Sequence, residues 1–443
     1  MADLGVPTTD PGPVPHTSGV DPTSMQASRP DDGLDRRPDW RWWAWVAAIT
    51  VAGLIVRLVY VWVSRRGVEL EGDPVYYHQG ANLLAEGKGF INPFQHQLGN
   101  EVQAADHPPL YTVYLALFSF VCIKSVTGHL VASCLLGAAA IPLAAGAGRE
   151  MLGRRVGLIA AVLVAAYPQI WRYDGMVLSE TMVIVTSLAT LWLAYRCWRH
   201  PSLWGVVWVS VAVACTALAR SELLLLGVLL VLPLAVSTAR RTTMAMWKPI
   251  GAGALAGLIV LAPWVGFNLS RFDRPVFLSG QLEVTLAVAN CETTYYGDNV
   301  GYWDYTCGQK ILDAHGPVAD EAEANQVQLE GTLDYMGDHL DRIPFVVAAR
   351  IGRIVGVYEP IQQMDIDSYV ELFPRGVMVA ANISYWLLVP FAIAGVVVLR
   401  RREVPIYILL SIPVTVLVTV IVIYASMRFR AAAEGPMCLA AAV

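Results

Sequence analysis

Charged residues that could carry out chemistry lie at the ends of long apolar segments of the sequence. Two carboxylates, Asp73 and Glu180, stand at such positions, and a carboxylate within reach of a hydroxyl group can accept its proton as a general base. Arg220, Arg428 and Arg430 have similar positions, and guanidinium groups bind phosphate through charge-assisted hydrogen bonds. These residue types predict proton transfer beside a bound phosphate. For any single arginine, the alternative is a side chain that merely reaches up to the membrane surface.

The segment around Asp73 has the pattern of a short helix. Asp73 precedes Pro74, and this pair is a typical helix start, with Asp as the cap and Pro at the first helical position. Gly87 is a natural stop, and the apolar residues between form one stripe. The pattern predicts an amphipathic helix on the membrane surface, with Tyr77 and His78 as candidate substrate-binding residues. The simpler interpretation is that Asp73 only caps this helix.

Further polar residues stand at comparable positions. His107 begins the string His-Pro-Pro-Leu, which alone predicts only a turn ahead of a helix. Asp174 and Glu180 flank the start of an apolar segment, and Glu222 closely follows Arg220. A carboxylate that starts a span is costly unless it faces a polar cavity, so we expect Glu180 to face one. The alternative is a cap at the membrane interface.

The composition is that of a membrane protein. Hydrophobic residues make up 56% of the 443 residues and charged residues 15%, whereas a soluble domain carries about 25% charge. Several apolar runs can cross a hydrocarbon core of about 30 Å, so we expect an all-α integral membrane fold. The expected spans are Trp43–Val63, His129–Gly148, Val156–Trp171, Met176–Tyr195, Leu203–Leu218, Leu223–Val236, Pro249–Phe267, Val377–Leu399 and Val404–Tyr424. A further span is expected to begin near Pro436 and to be cut off by the end of the sequence.

The first 39 residues differ from the rest of the chain. They are rich in Pro, Ser, Thr, Asp and Gly and have few large apolar side chains, so they cannot bury a core. We expect residues 1–39 to form a disordered cytoplasmic tail and residues 40–443 to form the transmembrane domain. The tail lacks the apolar stretch and cleavage site of a signal peptide, so the first span should be kept as an anchor.

Basic clusters predict the orientation, because Lys and Arg concentrate on the cytoplasmic side. The clusters begin at Arg36, Arg149, Arg196, Arg240 and Arg400. All of them can be cytoplasmic only if the short apolar segment Leu110–Ile123 returns to its own side as a re-entrant or interfacial helix. The N-terminus is then cytoplasmic, and residues 64–128 and 268–376 form large outer loops. Shorter outer links follow around Asp174, at Arg220–Glu222 and at Arg428–Glu434.

The second large loop is strongly acidic. Twelve acidic residues between Glu283 and Asp341 face the single basic residue Lys310, which makes nucleic acid an unsuitable partner. Cys291 and Cys307 are the two cysteines of this loop, and an oxidising exterior favours a disulfide between them, with two free thiols as the alternative. The remaining cysteines lie in or beside spans and are expected to be packing residues.

Several of these strings resemble the GT-C superfamily of polyprenyl-phosphate-sugar glycosyltransferases, close to its protein O-mannosyltransferase and aminoarabinose-transferase branch. Asp73 matches the position of the catalytic Asp in the first outer loop, and His107-Pro108-Pro109-Leu110 resembles the branch's His-Pro-Pro-Leu motif. Glu180 takes the place of a second acidic residue that is more often Asp. The strings Asn290-Cys291 and Gly301-Tyr302-Trp303 are similar to those of actinobacterial members.

The resemblance implies a GT-C-type multi-span helical bundle whose large first outer loop carries juxtamembrane helices. It also implies inverting transfer of a hexosyl or pentosyl group from a polyprenyl-phosphate donor, with Asp73 as the base and the arginines on the phosphate. The acceptor would be a glycan, a lipid or a protein at the extracytoplasmic face of the cell membrane. Metal use varies in the superfamily, so no cofactor is expected with certainty and a divalent cation is left open.

A transporter or lipid flippase is the competing class, since it also needs many spans and a polar cavity. Arg57 favours this class, because it is a charge well inside a span. Transporters tend to show duplicated halves, and no duplication is visible in the sequence. The sequence also shows no glycine-rich phosphate loop and no Rossmann pattern, which favours a lipid-carried donor over a nucleotide sugar.

Overall fold

The computed structural model describes residues 2, 39–272, 275–318 and 321–443. The predicted disordered tail therefore lies almost entirely outside the described residues. The described part is helical, and its helices in chain order are α1 (Asp39–Tyr60), α2 (Asp73–Ala85), α3 (Pro93–Gln97), α4 (Leu110–Phe120), α5 (Val126–Leu152), α6 (Arg154–Ala166), α7 (Pro168–Trp171), α8 (Glu180–Arg199), α9 (Leu203–Ala217), α10 (Leu232–Thr242), α11 (Trp247–Leu269), α12 (Leu282–Ala289), α13 (Glu292–Tyr295), α14 (Thr306–His315), α15 (Glu321–Asp338), α16 (Ile343–Val355), α17 (Pro360–Val370), α18 (Arg375–Arg401), α19 (Ile406–Val422) and α20 (Met427–Ala441). Short 3-10 or π-helical segments at Val61–Arg65, Arg172–Gly175, Ser221–Leu225 and Gly227–Val231 extend or join them.

The expected many-span helical architecture is confirmed. Six helical segments in the described part are long and apolar enough to cross a membrane. They are Asp39–Arg65, Val126–Leu152, Glu180–Arg199, Ser221–Thr242, Trp247–Leu269 and Arg375–Arg401. A seventh candidate is the pair Arg154–Ala166 and Pro168–Gly175, which is bent by 55°. Pro168 opens the second helix of this pair, and a proline cannot continue the hydrogen bonds of the helix before it.

The apolar segment Leu110–Ile123, which the basic clusters require to stay on one side of the membrane, forms a short helix. Helix α4 has 11 residues, which at 1.5 Å per residue reach only about half of the hydrocarbon thickness. Helix α4 packs against α2, so the first large loop folds into a small helical layer. Two other apolar helices, α9 and α19, have 15 and 17 residues.

Helix α2 begins one residue earlier than the sequence pattern suggested. Gly72 occupies the cap position and Asp73 is the first helical residue, followed by Pro74. Gly72 has a φ of +60°, a conformation that glycine adopts without steric cost. Asp73 is therefore placed in the first turn, where the partial positive charge of the helix N-terminus favours a carboxylate.

The predicted link Arg428–Glu434 is wrong, because helix α20 already begins at Met427 and contains Pro436 within it. The start signal lies at Ser426, whose side chain accepts a hydrogen bond from the backbone NH of Arg428. Helix α20 packs against α8, α18 and α19 and is largely buried. This packing carries Arg428 into the bundle instead of leaving it in a surface link.

Arg57, the charge inside the first span, has a buried partner. Its Nε donates to Oδ2 of Asp174 at 2.7 Å, and the two side chains are 0% and 1% exposed. Thr181 donates a further hydrogen bond to Oδ1 of Asp174 at 2.8 Å. An ion pair between two helical segments therefore accounts for this charge without a transport pathway.

The second large loop folds into α12 to α17. Cys291 and Cys307 are joined by a disulfide in this loop. Thr293 donates a hydrogen bond to Asp304 at 2.8 Å beside the disulfide, and the backbone NH of Asp304 donates to the carbonyl of Val288 at 2.9 Å. The segment that leads to Cys307 is therefore held at several points.

The orientation can be tested by cysteine labelling. Cys122 is a free, exposed cysteine that a maleimide could label, so the background carries Cys122→Ser. In this background, an Asn100→Cys variant should react with a membrane-impermeant maleimide in intact cells, whereas an Arg402→Cys variant should react only after permeabilisation. Both positions are exposed on the protein, so a difference in their reaction with the maleimide must come from the side of the membrane on which each lies. The opposite labelling pattern would invert the proposed topology.

Candidate active site

The predicted catalytic carboxylates lie at the starts of two helices that meet near the start of a third. Asp73 is the first residue of α2, Glu180 is the first residue of α8, and Arg428 is the second residue of α20. The first turn of a helix favours the two carboxylates but disfavours a cation. Arg428 therefore depends on nearby negative charge for its stability.

Arg428 receives this charge from three different parts of the chain. Its Nη2 lies 2.8 Å from Oδ2 of Asp73, and its Nε lies 2.6 Å from Oε1 of Glu180. Its Nη1 lies 3.2 Å from Oε1 of Glu371, which directly follows α17. One guanidinium thus holds together the first loop, the start of a span and the second large loop. We call Asp73, Glu180, Glu371 and Arg428 the Arg428 cluster.

A second arginine adjoins the Arg428 cluster. Arg220 donates from Nη1 to Oε1 of Glu180 at 3.2 Å and from Nε to Oε1 of Glu222 at 2.7 Å. Its guanidinium carbon also lies 4.5 Å from the ring centroid of Phe429, a cation–π contact. Glu180 therefore joins two arginines through one oxygen, while its Oε2 has no hydrogen-bond partner among the described residues.

His107 supports Asp73 from the other side. The Nε2 of His107 lies 3.3 Å from Oδ1 of Asp73. The imidazole stacks on the buried ring of Tyr77 with a centroid distance of 5.1 Å. Tyr77 is 1% exposed, so it positions His107 and has no face free for a sugar.

The Arg428 cluster has an open side and a closed side. The side chain of Asp73 is 29% exposed, whereas that of Glu180 is 0% exposed. Burial alone raises the pKa of Asp73, but the charges of Arg428 and His107 and their hydrogen bonds outweigh it and hold this pKa well below its usual range. Asp73 is therefore ionised and sits where a reacting molecule can reach it.

Glu371 is a site residue that the sequence reasoning missed. Its string carries no motif, and only the folding of the second large loop brings it to Arg428. Burial raises the pKa of Glu371 to about 7. The positive charge of Arg428 lowers this pKa, whereas the negative charges of Glu180 and Asp73 raise it further. A carboxylate that changes charge near neutral pH therefore borders the site.

Three of the predicted site residues lie elsewhere. His78 turns its Nδ1 to Nδ1 of His129 at 2.9 Å, and Asp174 is the buried partner of Arg57. Arg430 forms an ion pair with Glu434 at 2.6 Å within α20, and its guanidinium carbon lies 3.7 Å from the ring centroid of Tyr385. Arg430 is two residues from Arg428, so on a helix of 3.6 residues per turn it points to a different side.

The divalent cation that the resemblance left open has no fitting set of ligands. In the described ranges, no three His, Cys, Asp or Glu side chains are grouped so that they could hold a metal ion. Asp73, Glu180 and Glu371 each turn an oxygen toward Arg428 instead. The guanidinium supplies the neutralising positive charge in this arrangement.

A small cavity of about 10 Å³ adjoins the two arginines. Arg220, Glu222 and Arg428 line its polar side, and Leu223, Val416 and Phe429 are among its apolar lining residues. A cavity of this size has room for about one water molecule. The side chains next to the two guanidinium groups are therefore closely packed.

The raised pKa of Glu371 predicts a pH dependence of stability. The folded protein keeps the proton of Glu371 up to about pH 7, whereas the ordinary value is 4.5. Between these values the folded state binds more protons than the unfolded state, so its stability should fall as the pH rises. We expect the thermal unfolding midpoint in detergent to fall from pH 5 to pH 8 and to fall less in the Glu371→Gln variant. Equal slopes for both proteins would contradict the assignment.

Part of the chain matches a known protein family. Residues 106–267 match the family described as dolichyl-phosphate-mannose-protein mannosyltransferase. This range includes His107, Glu180, Arg220 and Glu222 of the site. No curated protein gives a significant match to the sequence.

Solved structures share the fold. The oligosaccharyltransferase of Archaeoglobus fulgidus, tethered to an acceptor peptide, aligns with a TM-score of 0.53 and 12% identity over 93% of this chain and 50% of that chain. The same enzyme, AglB, in complex with an inhibitory peptide and a dolichol-phosphate, aligns with a TM-score of 0.50 and 15% identity over 90% of this chain and 50% of that chain. ArnT from Cupriavidus metallidurans, bound to undecaprenyl phosphate, aligns with a TM-score of 0.45 and 13% identity over 90% of this chain and 77% of that chain.

The chain spans half the length of the oligosaccharyltransferase that it matches. The shared fold extends over most of the chain, while the family match covers the segment from the end of the first loop to α11. The family match includes His107 but begins after Asp73. The chain therefore matches the mannosyltransferase family over residues 106–267 and shares the fold of the oligosaccharyltransferase over most of its length.

Proposed function

We propose that this protein transfers a sugar from a polyprenyl-phosphate donor to a hydroxyl group of an acceptor at the outer face of the cell membrane. The observation that carries the proposal is the contact between Asp73 and Arg428 at 2.8 Å. It joins a partly exposed carboxylate, which can accept a proton, to a guanidinium that can bind a phosphate. The related oligosaccharyltransferase was solved with a dolichol-phosphate, which supports a lipid-phosphate donor.

The phosphate of the donor would meet the guanidinium groups of Arg220 and Arg428, whose side chains are 18% and 21% exposed. Both arginines contact Oε1 of the same carboxylate, Glu180, so one phosphate could reach both of them. The free oxygen Oε2 of Glu180 is a buried acceptor without a partner among the described residues, so it suits a hydroxyl group of the donor sugar. This arrangement would hold the donor at both its charged group and its sugar.

The transfer would be an inverting substitution. Asp73 would take the proton of the acceptor hydroxyl, and the oxygen would attack the anomeric carbon from the side opposite the phosphate. The bond between the anomeric carbon and the phosphate oxygen breaks, and its electron pair leaves with the polyprenyl phosphate. Arg220 and Arg428 would stabilise the added negative charge in a site partly shielded from water.

Donor binding would also make Asp73 a stronger base. While Arg428 and His107 hold Asp73, its pKa lies well below its usual range. A phosphate that takes the guanidinium of Arg428 competes with Asp73, and the loss of that partner raises the carboxylate pKa. The base would therefore become effective once the donor is in place.

The membrane orientation follows from the basic clusters of the sequence. With these clusters in the cytoplasm, residues 64–128 and 268–376 face outward, and both loops contribute to the Arg428 cluster. The site would then open to the extracytoplasmic side of the plasma membrane. The sugar, hexosyl or pentosyl, is the group that a transfer assay must identify.

Loss of the base should abolish transfer. In a host that lacks this protein, an Asp73→Asn variant should fail to restore the envelope glycan, with transfer at least ~100-fold slower than in the parent. Mass spectrometry of lipid-linked sugars and released glycans measures the outcome. Asp334→Asn is a matched control in an exposed part of the second large loop, and it should restore the glycan fully. Normal transfer by Asp73→Asn at normal protein levels would rule out Asp73 as the base.

Loss of a phosphate contact should weaken donor binding. An Arg220→Gln variant should bind undecaprenyl phosphate about tenfold more weakly, because a charge-assisted hydrogen bond to phosphate is lost. Native mass spectrometry of the detergent-solubilised protein measures the bound lipid. Arg375→Gln is the control, since Arg375 is 70% exposed and pairs with Asp365. Equal lipid binding by Arg220→Gln and the parent would contradict the phosphate role.

A further inference from the structure

An exposed aromatic segment of the second large loop stands next to the Arg428 cluster. Trp303 and Tyr305 contact each other edge to face, with ring centroids 4.5 Å apart. Tyr302 stacks on Trp303 at 5.4 Å and donates a hydrogen bond to Oδ1 of Asp367 at 3.0 Å. Tyr302 is buried, whereas Tyr305 is 70% exposed. The segment thus has a buried anchor and an exposed ring.

The position of this segment is fixed from both sides. The disulfide between Cys291 and Cys307 closes the loop directly after Tyr305. Asp304, between Trp303 and Tyr305, accepts a hydrogen bond from Thr293 at 2.8 Å. A ring that is held in place before a ligand arrives loses little conformational freedom on binding.

Contacts lead from the aromatic segment to the Arg428 cluster. The backbone NH of Ala425 donates to the carbonyl of Gly301 at 3.0 Å, which fastens the segment to the turn before α20. Trp303 lies 6.4 Å from the ring of Tyr424, and Tyr424 lies 5.2 Å from Phe429 beneath Arg220.

Tyr305 is linked to the cluster through the same contacts, because its ring lies 4.5 Å from that of Trp303, which lies 6.4 Å from Tyr424. Burial raises the pKa of the Tyr305 phenol, and the charge of Asp73 raises this pKa further while Arg428 lowers it, which agrees with this placement. The exposed ring therefore belongs to the same face of the protein as the Arg428 cluster.

Aromatic rings are common at membrane interfaces without any binding role. A ring that only anchors the protein in lipid gains nothing from a disulfide-held turn or from a position next to the Arg428 cluster. The face of an aromatic ring carries negative potential and attracts the weakly positive C–H groups of a sugar ring. The acidic character of the loop disfavours an anionic acceptor, because twelve acidic residues between Glu283 and Asp341 face the single basic residue Lys310.

We propose that Tyr305 and Trp303 form the acceptor subsite and bind a neutral sugar ring, so that the acceptor is a carbohydrate whose hydroxyl group is presented to Asp73. This inference rests on the proposed glycosyl transfer and names its acceptor class. A peptide acceptor is the competing outcome.

The subsite can be tested by binding without a donor, so the test does not depend on transfer. The purified full chain in nanodiscs is titrated with neutral manno-, galacto- and arabino-oligosaccharides and with a Ser/Thr-containing peptide, and binding is followed by saturation-transfer NMR. At least one oligosaccharide should bind, and Tyr305→Ala should weaken this binding at least tenfold. Tyr305→Phe, which keeps the ring, should bind within about threefold of the parent.

Tyr296→Ala is the matched control. Tyr296 is a half-exposed ring of the same loop, but it contacts His339 and Arg342 instead of the site, and its loss should leave sugar binding unchanged. Binding of none of the oligosaccharides, sugar binding that Tyr305→Ala leaves intact, or Tyr305-dependent binding of the peptide would each overturn the proposal. Normal sugar transfer by the Asp73→Asn variant, together with Tyr305-dependent sugar binding, would instead contradict only the proposed role of Asp73 in transfer.

Discussion

Arg428 must balance three carboxylates at once, and this requirement organises the site. A guanidinium offers donors in a fixed plane, so Asp73, Glu180 and Glu371 can all be reached only if their three chain segments converge. The two large loops and two helices of the bundle are thereby tied to one group. Carboxylates outnumber guanidiniums here, since Glu222 also joins through Arg220. A bound phosphate would therefore have to displace a carboxylate from an arginine, which links donor binding to the state of the base.

The sequence carried enough information for the class of fold and for the centre of the site. A membrane requires long apolar runs in the spans and places basic residues on one side, and both are local patterns that can be read along the chain. The same reasoning identified the short segment that forms α4. Asp73, His107 and Glu180 were recognisable because each stands in a short motif beside a span. Their meeting with Arg220 and Arg428 could be expected only from resemblance, since no local pattern encodes contacts between distant segments.

Other parts of the site depend on tertiary packing that the sequence does not display. Glu371 has no motif, and its role arises because α17 ends over Arg428. Arg430 and Asp174 looked like site residues by their position, yet each has a buried partner that only the folded bundle supplies. The start of α20 was missed because Pro436 was taken as a boundary, although packing against α8, α18 and α19 tolerates a proline within this helix.

The disulfide between Cys291 and Cys307 ties the maturation of this protein to its compartment. Thiols stay reduced in the cytosol and are oxidised outside it, so in the proposed orientation the loop that carries Trp303 and Tyr305 would gain its covalent closure only after it had crossed the membrane. The Arg428 cluster contains neither cysteine, so its ion pairs do not depend on this oxidation. The covalent closure beside Trp303 and Tyr305 would therefore be a separate, later step in the maturation of the chain.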